Sequence, residues 1–559
     1  MHRGGRCGMS FTVAGLAIGH DCGCALVRDG QPVVAISEER LDRHRHSGLW
    51  ASSLTYCLEH AGIRIGDVDL FVFSSGGPPL PAGFDGGLSS LGVDKSRVTT
   101  VDHHLSHAFG AFCLSGFEDS AVLVLDAVGN CEDTESSYVA SRDGVVRISE
   151  RDPARPRYKG IGSTYEAFTN FLGFNDEESG KTMALAAYGD PGRFGVPLFD
   201  FAPDGGVMGR LTQTHHWGVL EFARSNGLAF GELFDAGESQ ESRDVAAYVQ
   251  HETEEALLKL IDDLLKRTGA SRLCLSGGVA LNCVANDRIR REYPGLDLFV
   301  LPPASDTGQP LGNALYGHWR GSGEMPTAHR GSSSFGRQYD EGSIRRALAK
   351  FADTLTYGRL YRYEYEYYKD SDPARTAAQL LAEGAVIGWF QGGSELGPRA
   401  LGHRSILADP RDSRVRTYVN SAIKHREWFR PFAPSILAEE SHRFTGDAVN
   451  RSFMLESPSI LESARTDIAG ALHVDGTARI QCVMPEQRPF HRLISAFADR
   501  TGVPAVLNTS FNVREPIVET PGQALGTFLS SELDYLVIED FVVSKKGQPK
   551  KNRGNGDGA

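Results

Sequence analysis

Residues 11–40 read FTVAGLAIGHDCGCALVRDGQPVVAISEER, and residues 121–151 read AVLVLDAVGNCEDTESSYVASRDGVVRISER. Each is an apolar run, a small polar turn, a second run ending in Arg-Asp-Gly, and a third ending in Ser-Glu and Arg. Apolar runs of this length bounded by Gly and Asp read as strands, and Asp29-Gly30 and Asp143-Gly144 are hairpin signals. Helical sequence follows each copy, so the chain is expected to open with a duplicated α/β domain.

Outward from these copies, Asp244 to Arg267 places apolar residues near i, i+3, i+4 and i+7 and predicts a long helix. It leads into a strand over 273–275 and the turn Ser276-Gly277-Gly278. Near residues 318–342 the sequence becomes rich in Gly and Ser without an apolar period, as linkers do. Beyond it, a helix from Asp372-Pro373, a strand over 385–390 and a Gly/Arg-rich loop predict a second α/β domain. The expected division is a first domain over 1–330, a linker over 331–360, a second domain over 361–546 and a disordered tail over 547–559.

At 559 residues the chain exceeds one ordinary core. Its 58 basic and 71 acidic residues leave a net charge of −13, which argues against nucleic acid or an anionic membrane as partner. Hydrophobic residues at 41% and charged residues at 23% exclude a mainly disordered chain. The 63 glycines exceed the usual share of about 7% and suggest close backbone approaches, as phosphate sites require. Nine scattered cysteines with no CxxC suit a reducing compartment. No apolar stretch resembles a signal peptide or a membrane span, so a cytoplasmic location is expected.

Three patterns carry chemistry. In His103-His104-Leu105-Ser106-His107, a helix would put His103 and His107 on one face, as two ligands of one metal must be. Asp126 and Asp306 end apolar stretches, where open α/β sheets hold ligands. Gly277, Gly278 and Asn282 follow a strand, and Gly308 and Gly312 flank a similar turn, so backbone N–H groups could face an anion. Neither a Walker A loop nor a GxGxxG fingerprint is present. Between 397 and 430, eight Lys/Arg residues stand against Asp409, Asp412 and Glu427, leaving +5 inside a chain of −13. Arg399 and Arg430 lie in loops dense with Gly, Pro and aromatics, which suit fixed clamps for phosphate, with Asn508, Thr509 and Ser510 as neutral donors.

The duplicated strand–hairpin, HHLSH, DAVG, SGGVALN and PPASDTG together resemble the actin-like ATPase-type fold, in its threonylcarbamoyl-transferase-like form. GWFQGGSELGPRALGHRSILADP, IKHREWFRPFAPSIL and LNTSFNVREPIV resemble the O-carbamoyltransferase family of antibiotic and nodulation-factor tailoring enzymes. The resemblance runs from about residue 13 to 545. It implies an actin-like transfer domain followed by an α/β domain that forms carbamoyl adenylate from carbamoyl phosphate and ATP. It assigns Arg399, Lys424, Arg430, Arg479, Asn508 and Ser510 to that second pocket. It makes His103, His107, Asp126 and Asp306 ligands of a metal, iron by resemblance, with magnesium accompanying ATP. His20 becomes the catalytic base, and Arg45, Lys181, Gly277, Gly278 and Asn282 the first domain's nucleotide site. The labile adenylate would pass to the first domain, where a hydroxyl of a small-molecule natural product takes the carbamoyl group. The resemblance is also compatible with a homodimer.

Competing readings are a tRNA threonylcarbamoyl-type modification enzyme and a non-catalytic actin-like scaffold. Residues 1–317 show no basic run for tRNA, and a scaffold has no need of paired histidines or an arginine pocket. Hydrogenase-maturation relatives would bring Cys-rich zinc motifs, which this sequence lacks. Departures from the family pattern are Ile18 in place of an acidic residue, Ala127 in place of Gly, and a loop one residue short near Arg514.

Overall fold

A computed structural model describes residues 10–74, 87–127, 129, 133–150, 156–202, 206–230, 234–326, 333–350, 353–356, 359–362 and 365–546. The chain separates into two compact units. The first comprises 1–179, 191–281 and 289–335, and the second 180–190, 282–288 and 336–559.

In the first unit, β1 (Thr12–Leu16), β2 (Gly23–Arg28) and β3 (Gln31–Ser37) form an antiparallel meander. β4 (Leu70–Ser74) and β5 (Val98–Val101) extend it in parallel, in the order β3-β2-β1-β4-β5. β6 (Asp119–Leu125), β7 (Glu135–Ser141) and β8 (Gly144–Arg147) repeat the meander. After a short ribbon of β9 (Phe199–Phe201) and β10 (Val207–Gly209), the parallel strands β11 (Arg272–Ser276) and β12 (Asp297–Val300) complete the second sheet. Its order, β12-β11-β6-β7-β8, is that of the first sheet, so the unit is a duplicated α/β domain.

The repeated Arg-Asp-Gly string aligns the copies but not their turns. Arg28 pairs with Gln31, leaving Asp29-Gly30 as the loop, whereas Ser141 pairs with Gly144 and leaves Arg142-Asp143. A register shift between Leu26 and Val27 absorbs the offset in the first copy.

The predicted helix over 244–267 runs from Gln240 to Thr268. Ser239 Oγ accepts from the Ser242 N–H (3.1 Å) at its start, and Gly269 closes it with φ +65°. Val245, Val249, Leu257, Ile261 and Leu264 are buried along one stripe, each such side chain contributing about 1.5–3 kcal/mol on leaving water.

The second unit is built on a mixed eight-stranded sheet: β15 (Tyr365–Lys369), β16 (Ile387–Phe390), β17 (Arg404–Ala408), β18 (Ala433–Leu437), β19 (Gln481–Val483), β20 (Ala505–Ser510), β21 (Tyr535–Ile538) and β22 (Phe541–Lys545). Their spatial order is β15-β22-β21-β16-β17-β20-β18-β19, and β13 (Asp353–Thr356) with β14 (Arg359–Arg362) forms a separate ribbon. Successive residues alternate between two cores. Trp389, Leu407, Val537 and Val542 pack in one, and Phe390, Ile406, Leu536 and Val543 in the other.

The expected linker over 331–360 is not purely linker. Residues Glu341–Lys350 form a helix whose Ile344 and Leu348 enter the second of these cores, the apolar i, i+4 pair outweighing the surrounding Gly and Ser. The tail over 547–559 lies outside the described residues. No described helix is long and apolar enough to cross a membrane.

Candidate catalytic and anion-binding sites

In the first unit, Asp102 caps the helix His103–Ser115, its Oδ1 accepting from the Leu105 N–H at 3.0 Å. The four-residue spacing then puts the buried rings of His103 and His107 5.0 Å apart. Asp126 follows β6, and Asp306 opens the turn Asp306–Gly308 before the helix Gln309–Ser322. Asp126 Oδ2 lies 3.2 Å from His103 Nε2 and 3.4 Å from His107 Nε2. Asp306 Oδ1 lies 3.2 and 3.3 Å from the same atoms.

Two imidazole nitrogens and two carboxylate oxygens thus face a common point, all within 4.8 Å of one another. Ser276 Oγ lies 3.1 Å from His107 Nδ1 and 3.4 Å from Ala304 O, contacts that orient the ring so that its Nε2 faces the carboxylates. That donor set fits a divalent cation of the zinc, iron or manganese type. Burial opposes charge on His103, and the carboxylates of Asp306 and Asp126 outweigh it, raising the imidazole to about 10. Asp126 and Asp306 are pushed below the usual carboxylate range: burial acts against that shift, and the histidines overcome it.

His20 borders this quartet, with Nε2 3.8 Å from Asp306 Oδ2 and Nδ1 3.1 Å from Asp21 Oδ2. The hydrogen bond to Asp21 raises it to about 9 against the cost of burial, so its neutral form is the minor one near pH 7. Asp21 also meets His46 Nδ1 at 2.8 Å, which ties two histidines to one carboxylate.

Gly277 sits at φ +91°, and a Cβ there would lie 2.0 Å from Leu125 O. The neighbouring Gly278 N–H reaches Asp126 Oδ1 at 3.4 Å. Gly277→Ala is therefore expected to destabilise the protein by roughly 3 kcal/mol, measurable as a lower midpoint in urea unfolding. An unchanged midpoint would show that the turn relaxes freely.

The second unit contains a cavity of about 170 Å³ whose lining includes Arg399, Arg426, Arg430 and Arg479 and, among the described residues, no carboxylate. Burial lowers Arg399 to about 9, with the charge of Arg479 adding to the effect. Burial likewise lowers Arg426, where Arg430 and Arg479 add repulsion. The Nε atoms of Arg399 and Arg479 are buried without a hydrogen-bond partner. Clustered, partly desolvated guanidinium groups with open donors are what an oligoanion neutralises.

Two matches place the chain among known proteins. A model described as Carbamoyltransferase N-terminus matches residues 10–77 and 87–315, and one described as Carbamoyltransferase C-terminus matches 378–545. The chain belongs to the carbamoyltransferase family. Nodulation protein NolNO of Sinorhizobium fredii is 36% identical over 564 residues, covering 94% of this chain and 79% of that one. The 3'-hydroxymethylcephem-O-carbamoyltransferase of Amycolatopsis lactamdurans is 28% identical, covering 88% and 91%, and that of Streptomyces clavuligerus 27%, with the same coverage.

Within this carbamoyltransferase, the residues singled out in the sequence are not all brought together. Arg399, Arg430, Arg479, Asn508 and Ser510 line the arginine cavity. Lys424 is not among its lining residues: the buried ammonium donates to Ser510 O, to Asn512 O (2.9 Å) and to Asn512 Oδ1 (2.7 Å). Asn508, expected as a donor, directs its amide N–H groups to Ala400 O (3.1 Å), Ser435 Oγ (2.9 Å) and Gln481 Oε1 (3.1 Å). Its Oδ1 is left buried without a partner. Arg45 is exposed. Lys181 and Asn282, expected in the first domain's nucleotide site with Gly277 and Gly278, belong to the second compact unit. There Lys181 pairs with Glu427 at 2.6 Å, and Asn282 Oδ1 accepts from the Ala285 N–H at 3.1 Å at the start of the helix Cys283–Glu292.

Sequence reading missed the organiser of the arginine loop in the carbamoyltransferase. Glu395 is buried, and its Oε1 accepts from the N–H groups of Leu401 (2.6 Å), His403 (2.9 Å) and Arg404 (3.3 Å), fixing the turn that presents Arg399. Burial raises its carboxyl, and the charge of His403 with these N–H groups overcomes that and holds it below the usual glutamate range. A depressed folded pKa contributes stability that is present above the unfolded value of about 4.3 and lost as pH falls through the folded one. Glu395→Gln is expected to lower stability at pH 7 by about 1–3 kcal/mol and to flatten the acid limb of stability against pH. Parallel acid limbs for the two proteins would refute this role.

Proposed function

We propose that the protein is an ATP-dependent O-carbamoyltransferase that uses carbamoyl phosphate, by way of carbamoyl adenylate, to carbamoylate a hydroxyl of a small-molecule natural product. The observation that carries the reading is the cavity whose wall, among the described residues, has four arginines and no carboxylate, in a chain of this family. ATP and carbamoyl phosphate repel each other, and fixed guanidinium groups lower that repulsion while aligning the reacting atoms. Arg399, Arg426, Arg430 and Arg479 would take the phosphoryl oxygens. The buried Asn508 Oδ1 suits the N–H of a carbamoyl group, a donor that acetyl phosphate lacks. Phosphate and pyrophosphate would leave, one water being consumed overall.

At the first unit, His103, His107, Asp126 and Asp306 would hold a divalent metal, which supplies positive charge against the adenylate phosphate. The neutral minority form of His20, oriented through Nδ1 by Asp21, would take the acceptor's hydroxyl proton at Nε2 as that oxygen bonds to the carbamoyl carbon and AMP departs. Gly277 and Gly278 would let the nucleotide approach the backbone. A labile acyl adenylate and the free thiols at Cys22, Cys24 and Cys57 fit a reducing cytoplasm.

The test is incubation with ATP and carbamoyl phosphate, following pyrophosphate and carbamoyl adenylate by mass spectrometry. Adenylate should form without an acceptor, and a panel of hydroxylated natural products should then gain a carbamoyl group. Absence of adenylate would overturn the reading.

A further inference from the structure

The reaction proposed for the second unit consumes one water, whose protons must be taken up inside a cavity built of cations. Among the described residues that line it there is no carboxylate, and a guanidinium has no lone pair to offer. Two of the lining side chains can exchange a proton in the neutral range, Cys283 and His473. Burial pushes the Cys283 thiol up, away from its thiolate. The His473 side chain is 10% exposed, and its Nε2 is buried without a hydrogen-bond partner. Asp475 faces the other edge of the ring, its Oδ1 3.6 Å from Nδ1.

The segment that carries this pair is closed on itself. The His473 N–H donates to Thr477 O (2.9 Å), and the Gly476 N–H donates to His473 O (3.1 Å). Asp475 Oδ1 accepts from the Thr477 N–H (2.9 Å) and from its hydroxyl (2.7 Å). Burial opposes charge on this carboxylate, and His473 with the Thr477 donors overcomes it, holding the carboxyl at about 2. Asp475 is therefore ionised at neutral pH. Tyr188 packs edge-on against the imidazole, with ring centroids 5.7 Å apart, so the ring is held between an aromatic neighbour and a fixed carboxylate.

We infer that His473 is a catalytic base of the arginine cavity, taking a proton from the water that cleaves carbamoyl phosphate. It has this role only if the cavity carries out the carbamoyl phosphate chemistry proposed above. The water oxygen bonds to the carbamoyl carbon as the bond from that carbon to the phosphate oxygen breaks. Nε2 takes the first proton and passes it to the departing phosphate, and the second leaves as carbamic acid becomes carbamate. A carbamate oxygen then attacks the α-phosphorus of ATP, and pyrophosphate departs. The Asp475 carboxylate favours a proton on Nδ1, which directs uptake to Nε2, and it offsets the charge the ring then carries.

Carbamate supplied as its ammonium salt enters after the water step, which gives the test. Wild type and His473→Ala are assayed for carbamoyl adenylate with ATP and either carbamoyl phosphate or carbamate. His473→Ala should lose about 100-fold or more with carbamoyl phosphate and stay within about threefold of wild type with carbamate. Free imidazole should restore part of the carbamoyl phosphate reaction, because the truncation opens space beside a cavity of about 170 Å³. A side chain needed only for folding would weaken both reactions alike and gain nothing from imidazole. That pattern, or a wild type that cannot use carbamate, would overturn the inference. Full turnover of carbamoyl phosphate by His473→Ala would also overturn it, while leaving the reading of the cavity intact. If wild type makes no adenylate from carbamoyl phosphate, the reading of the cavity fails and the role of His473 with it.

Discussion

Arg399→Ala should reduce carbamoyl adenylate formation by about 100- to 1,000-fold, the usual consequence of removing one preorganised donor from a site of developing negative charge. Arg399 shares the cavity with three other arginines, its Nε has no hydrogen-bond partner, and burial with the Arg479 charge already works against its protonation. Removing it relieves repulsion in the free protein, so the melting temperature should stay level or rise while activity collapses. That combination separates loss of anion stabilisation from loss of folding. Arg399→Lys should recover only part of the activity, since an ammonium keeps the charge but not the planar fork. Undiminished adenylate formation in Arg399→Ala, followed as pyrophosphate release, would remove the cavity from the mechanism.

His107→Ala should leave adenylate formation within about twofold of wild type and abolish carbamoyl transfer to an acceptor, with bound metal falling well below one per chain. His107 is fully buried, and its Nε2 faces both Asp126 and Asp306. Truncation removes one of four donors and leaves two carboxylates sharing one histidine. Ser276→Ala keeps all four donors but frees His107 Nδ1, and should cost about 10- to 100-fold in metal affinity. Metal content by elemental analysis and product analysis with preformed adenylate read the two effects separately. Loss of both partial reactions in His107→Ala would mean that the two chemistries are not divided between the units.

The duplicated domain was legible because period-2 apolar runs and turn signals are local properties of sequence. The HxxxH spacing was legible for the same reason: four residues bring two side chains to one helix face whatever the surroundings. Asp126 and Asp306 could be proposed from their position after apolar strands, but only the parallel pairing of β6 and β12 on either side of β11 brings them to one point. The basic run between 397 and 430 was visible as charge, yet its residues have different fates. Arg399, Arg426 and Arg430 line the cavity, Lys424 is bound by Ser510 and Asn512, and Arg404 is buried over the Phe390 ring at 3.5 Å.

Sequence by itself determined the fold class, the duplicated sheet order's raw material, the family, and which residue types could bind a metal or an anion. Tertiary structure decided which of those side chains face a common cavity and which are consumed by neighbours. Lys181 shows why. The resemblance assigned it to the first domain's nucleotide site, whereas its pairing with Glu427, 246 residues away in sequence, follows from packing that no local pattern encodes. Glu395 shows the same for a carboxylate, whose three backbone donors exist only once the arginine loop has closed around it. Local periodicity sets backbone conformation, but hydrogen bonds and ion pairs are settled by distances of a few ångströms that only the folded chain defines.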